Sequence, residues 1–251
     1  MTLPSTLTTA GSDCFKGCDG LRTVVIPESL TAIPHGMFED CEGLVSVTLP
    51  STLATMGTHA FASCDSLTSI HIPASLTAIP NNAFQSCLVL ASVTFEEGLL
   101  TIGNSAFDTG TTVMGGFLID FPSTLTAIGD NAFNHSASGL KFAFTSMKEG
   151  LLTIGDFAFY DGAPACDPAS IISIPSTVTS IGIAGFASST CVEFYTAAPA
   201  SCWNADPAAT PIAANGLIYV KTSELAGYGG IGATYNTMTV TDWTSYPAEM
   251  P

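Results

Sequence analysis

Residues 24–92 read VVIPESLTAIPHGMFEDCEGLVS, VTLPSTLATMGTHAFASCDSLTS and IHIPASLTAIPNNAFQSCLVLAS when the chain is broken every 23 residues. The same step holds Pro4, Pro27, Pro50 and Pro73 in one column and Phe15, Phe38, Phe61 and Phe84 in another. Cys18, Cys41, Cys64 and Cys87 form a third column, and Leu21, Leu44, Leu67 and Leu90 a fourth. A fixed period of this size marks a solenoid, in which each unit buries its apolar face only by stacking on the next.

Within one unit the pattern has a three-dimensional meaning. Val24 and Ile26 alternate with Val25, the period of a short strand with one buried face. Pro27 ends it, because a residue without an N–H cannot continue a central ladder. Leu30 and Ile33 return to the interior, Phe38 follows on a tight turn or short helical segment, and Cys41 and Leu44 close the coil. Each coil therefore contributes one parallel strand, stacked about 4.8 Å from its neighbours.

Outward from this block the repeat continues with longer steps. Phe107, Phe133, Phe159 and Phe186 are each preceded at five residues by Ile102, Ile128, Ile154 and Ile181, and Gly103, Gly129, Gly155 and Gly182 follow those isoleucines. The added residues fall near 108–116, 134–141 and 160–169, in DTGTTVMGG, NHSASGLK and YDGAPACDPA, whose Gly, Thr, Ser, Asp and Pro read as loops. Lengthened at one place in three consecutive coils, these loops are expected to protrude side by side. The spacing predicts about eight coils over residues 1–195. Beyond it, 196–251 is a capping segment that contains the strand-like GLIYVKTSEL and the aromatics Tyr228, Trp243 and Tyr246.

The phrase IPxSLTxIxxxAFxxCxxLxxVxI, as in HIPASLTAIPNNAFQSCLVLASVTF, resembles the BspA-like leucine-rich repeat family. The resemblance covers residues 1 to about 195, and the tail GLIYV...Y...W is similar to that family's C-terminal cap. It implies a mainly β repeat solenoid with a stacked parallel sheet, on or outside cells, in bacteria or protists, engaged in adhesion and protein binding. The chain departs from the pattern in its lengthened coils and in lacking Pro before Gly98 and Gly150.

Composition narrows the partners. Five Lys and Arg against 21 Asp and Glu give a formal charge of −16, a field that repels phosphate backbones and anionic membrane surfaces. No apolar run approaches the ~20 residues needed to span a bilayer, so no membrane insertion is expected. The start, MTLPSTLTTAG, does not read as a secretory signal. Met1 falls where later repeats place an inward residue, so the chain is expected to be a monomeric fragment of a larger protein.

A search for chemistry yields no enzyme. His35, His59, His71 and His135 occupy different positions within their repeats and are expected to share no site. There is no G-x-S-x-G elbow, P-loop or H-E-x-x-H, and neither cofactor nor metal is expected. Asp19, Glu42 and Asp65 form an acidic column that reads as a solvated edge rather than a Ca²⁺ cage. The recurring cysteines read as small buried groups, Cys14 included, while a Cys191–Cys202 bridge stays open. Hydroxyl pairs such as Ser29 and Thr31, Ser75 and Thr77, Thr124 and Thr126, and Thr177 and Thr179 are expected to point outward, an arrangement resembling ice-binding faces.

Two surfaces are left as candidates to hold a protein or glycan. One is the strand face carrying Arg22, Val25, Val45, Thr48, His71, Thr94 and Asp120; the other is the loop edge with Thr111, Thr112, Phe117, His135, Tyr160 and Asp161. A passive spacer or surface-layer component without a specific ligand is the alternative function.

Overall fold

The computed structural model describes residues 1–109, 117–134, 142–144, 147–160, 172–182, 185, 191–194, 217–220, 234–235 and 238–242. Parallel strands one coil apart dominate it. A six-stranded parallel sheet runs through Thr23–Val25, Ser46–Thr48, Ser69–Ile72, Ser92–Phe95, Phe117–Asp120 and Phe142–Phe144 in chain order. A second column of two-residue strands follows the prolines: Ala32–Ile33 pairs with Thr55–Met56, and Ala78–Ile79, Thr101–Ile102, Ala127–Ile128, Thr153–Ile154 and Ser180–Ile181 form a five-stranded sheet.

The register follows the sequence period. Val24 lies opposite Val47, Ile70 opposite Val93 and Val93 opposite Ile119, so every inward residue of a strand meets an inward residue of the next coil. The phenylalanines make the continuous element of the core. From Phe15 through Phe38, Phe61, Phe84, Phe107 and Phe133 to Phe159, successive rings lie 5.1–5.5 Å apart with planes within 8° of parallel. Beside that stack, Phe95 and Phe121 take places held by Ile26 and Ile72 in earlier coils and meet the stack edge-on.

No helix carries the aromatic inward; a tight turn does. The residue two before each Phe has a positive φ: Asp13, Gly36, His59, Asn82, Ser105, Asn131 and Phe157, all between 52° and 60°. This left-handed step reverses the chain and drops the ring into the core. The turns are themselves laddered, since Phe61 N–H donates to Ala83 O at 2.8 Å and Phe84 N–H to Ala106 O at 2.8 Å.

The first coil departs from the expected core. Cys14 is exposed, and Phe15, Cys18 and Leu21 are only partly buried, because this coil is covered on one side only. Met1 keeps the strand register, accepting from Val25 N–H at 3.2 Å, but its side chain is 43% exposed for the same reason. Cys41, Cys64 and Cys87 are fully buried free thiols that donate to Phe15, Phe38 and Phe61 carbonyls at 3.1–3.2 Å. Burial pushes the Cys41 thiol up to about 11 and the Cys87 thiol up to about 12, and raises Cys64 as well.

Past the lengthened coils, Ile172–Ile174, Cys191–Phe194, Leu217–Val220 and Met238–Asp242 pair in parallel, and Thr234–Tyr235 adds an antiparallel edge. The strand-like GLIYV phrase is therefore a strand laid against Cys191–Phe194.

Candidate functional site

On the outer side of the six-stranded sheet, residues two apart point away from the core and line up from coil to coil. Thr23 lies opposite Ser46, Ser46 opposite Ser69, and Ser69 opposite Ser92, giving a row of small hydroxyls. The parallel row holds Val25 opposite Thr48, then His71 opposite Thr94 and Thr94 opposite Asp120. Val25, Thr48, His71, Thr94 and Asp120 are all exposed. These five predicted residues thus form one straight ladder, because an uninterrupted 23-residue step keeps the alternation in phase.

The ladder is electrostatically mixed. His71 Nδ1 is 2.9 Å from Thr94 Oγ1 and its Nε2 is 3.3 Å from Glu96 Oε1. That imidazole, together with Ala74 N–H, holds the Glu96 carboxyl below its usual range, with the backbone bond the larger cause. Asp120 pairs with Lys148 at 3.2 Å. Val25 and Val45 are 46% and 40% exposed, so apolar contact area lies at the early end of the face and charge at the later end. Arg22 is exposed and donates to Gly43 O at 3.1 Å.

The loop candidates fare differently. Thr111, Thr112, His135 and Asp161 lie outside the described residues, and Phe117 is described only as the backbone of a strand in register with Phe142. Tyr160 is half-buried, its ring 5.9 Å from that of Phe157. The sequence reading passed over Phe157, an exposed aromatic at φ 53° where the other coils carry Asp, Gly, His, Asn or Ser.

Two corrections concern polar groups. The hydroxyls of Ser29, Ser75, Thr124 and Thr177 do not form an outward ladder: each is half-buried and donates to the carbonyl of a buried leucine one coil earlier, at 2.6–2.8 Å. His35 and His59 do converge, with ring centroids 5.5 Å apart at 74°. They sit one position apart in their repeats, and the left-handed turn at His59 brings the two rings together.

The sequence reading also missed two inter-coil devices. Asn81, Asn104 and Asp130 each accept, through the side-chain oxygen, the N–H of their counterpart one coil later at 2.9–3.0 Å. Glu28, Glu97 and Glu149 each clasp a Pro-Ser-Thr turn of the following coil, accepting from the N–H and hydroxyl of Ser51, Ser123 and Ser176 at 2.9–3.2 Å. Those bonds hold all three carboxyls below their usual range.

A coiled parallel ladder with a leucine and phenylalanine interior defines a leucine-rich repeat solenoid. The signature described as BspA type leucine rich repeat region matches six copies over residues 1–113 and 118–200, and the chain belongs to that family. A crystal structure of a leucine-rich repeat protein from Bacteroides ovatus superposes with a TM-score of 0.59 at 22% identity over 96% of this chain. This chain covers 60% of the length of that one. A leucine rich cell surface protein from Faecalibacterium prausnitzii gives 0.50 at 17% identity, covering 96% of this chain and 78% of the other. No curated protein matches. Among the described residues no helix is long and apolar enough to cross a membrane.

Proposed function

We propose that the chain is a non-catalytic binding or adhesion module of a cell-surface or secreted protein, and that it holds a protein or glycan on its strand face. The observation that carries this reading is the ladder Val25, Thr48, His71, Thr94 and Asp120, exposed and in register beside the hydroxyl row of Thr23, Ser46, Ser69 and Ser92. Side chains spaced about 4.8 Å apart on a rigid sheet lose little freedom on binding, which favours affinity from many small polar contacts. Membership of the family and likeness to a protein described as a cell surface protein support the location. The acidic surface argues against nucleic acid as partner.

The test is direct binding. The chain, immobilised, is offered glycan arrays and extracts of cell surfaces; saturable binding to a defined ligand supports the module. Its absence in both formats leaves a passive spacer as the function.

A further inference from the structure

On the turn edge of the first two coils, away from the strand face, one donor atom each of Asp13, His35 and Glu39 lies within 4.8 Å of the other two. We propose that these three side chains form a site for a borderline divalent cation of the Zn²⁺ class, which staples the first coil to the second. The spacing of 22 and 26 residues is one coil minus or plus a few, so no close-set sequence motif announces it.

The local build makes room for the carboxylates. Gly36, at φ 58°, occupies the turn position that His59 and Asn82 fill in later coils. A Cβ there would lie 2.0 Å from Asp13 Oδ1 and 2.9 Å from Glu39 Oε2, so both acidic groups converge on the space a side chain would take. Two carboxylates brought together repel unless a cation lies between them. Lys16 pairs with Glu39 at 3.0 Å and Asp40 at 3.7 Å, but among the described residues no cation pairs with Asp13. Lys16 is 42% exposed at its side chain and can give way to a metal.

The histidines add a second observation. His35 Nδ1 is 2.8 Å from Thr58 Oγ1, an outer contact of the kind that fixes the orientation of a ligating imidazole. The neighbouring His59 has a buried Nδ1 without a hydrogen-bond partner and packs edge-on against the His35 ring. An imidazole with two carboxylates selects zinc-like ions over Ca²⁺ and Mg²⁺, which prefer all-oxygen shells. Tetrahedral ligands at about 2.0–2.1 Å stand roughly 3.4 Å apart, so exposed side chains need only modest rotation to close on the ion. The fourth position is open to water or His59.

Zinc itself is the probe. The whole chain, stripped with chelator, is titrated with Zn²⁺ by calorimetry and unfolded thermally with and without it. One ion per chain and a rise in Tm are expected. His35→Gln and Asp13→Asn should each weaken binding more than about tenfold, beyond what loss of an outer partner costs at its low end. Cys14→Ser, which removes the neighbouring exposed thiol, and Asp19→Asn, which removes a nearby acid, should leave it intact. No saturable binding, binding that survives both ligand substitutions, or binding lost in Cys14→Ser would overturn the site. A Ca²⁺-induced rise in Tm equal to that with Zn²⁺ would also overturn it, since it would show only the general attraction of an acidic surface.

Discussion

The ring of Phe84 lies 5.1 Å from the ring of Phe107, with the two planes 2° apart. That contact spans the point where the 23-residue step ends, so the change of period does not interrupt the stack. The added residues leave after the aromatic, and the coil underneath keeps its register, with Ser92–Phe95 still paired to Phe117–Asp120.

Removing one ring from this stack should be costly. Phe61 is fully buried between Phe38 at 5.3 Å and Phe84 at 5.4 Å, with coils laddered above and below that cannot collapse into the gap. Phe61→Ala should cost about 3–5 kcal/mol in chemical denaturation. A loss under about 1 kcal/mol, the level of a surface change, would contradict the stacked core.

The glycines after the isoleucine column are fixed by close approach rather than by backbone angle. A Cβ on Gly155 would sit 2.5 Å from both Asp130 N and Gly129 C, backbone atoms that cannot swing aside. Gly155→Ala should destabilise by about 1–3 kcal/mol through overpacking. Gly20→Ala, where nothing lies within 4 Å, should change stability by no more than about 0.5 kcal/mol. Equal effects at the two sites in matched unfolding curves would refute the argument.

Much of the fold was legible because the period is so regular. The four columns at 23 residues gave the inward set, and the alternation around Val24 and Val25 gave the strand face. What stayed hidden depends on contacts one coil minus or plus a residue apart. His35 and His59 differ by 24 residues, so column alignment separates the very rings that the turn brings together. Outward placement of Ser29 and Ser75 followed from alternation alone, but a hydroxyl next to the preceding coil's carbonyl satisfies that acceptor instead of facing water. The glutamate clasps had a signal: Pro-Ser-Thr at 50–52, 122–124 and 175–177 follows Glu28, Glu97 and Glu149 by one coil each.

Those clasps should make the solenoid acid-sensitive. Glu28, Glu97 and Glu149 have folded pKa values lowered chiefly by backbone N–H donors. Their contribution is complete above the unfolded carboxyl pKa and is lost as pH falls through the lower folded values. Asp65, raised mainly by burial, acts in the opposite sense. Tm should therefore fall on acidification below about pH 4.3, the ordinary glutamate value, and the triple Glu→Gln variant should show a shallower fall. Parallel Tm–pH curves for the two proteins would sink this account.

Thiol accessibility should divide the cysteines. Cys14 is exposed, whereas Cys41, Cys64 and Cys87 are buried, bonded to carbonyls and raised in pKa. Pulsed alkylation with mass mapping should label Cys14 first and the three column thiols only on unfolding. Labelling of Cys64 at the rate of Cys14 in the folded protein would place it outside the core.

The binding reading is tested most directly by one comparison of affinities, made with the ligand that the surface screen returns. Thr48→Arg combined with His71→Ala and Thr94→Ala alters only exposed ladder positions, and a second variant trims 108–116 and 160–169 back to the regular repeat length. With unfolding curves intact, the face variant should lose more than about tenfold in Kd, equal to about 1.4 kcal/mol, while the trimmed variant binds as the parent does. Unchanged affinity in the face variant together with loss in the trimmed one would contradict the strand face as the binding site.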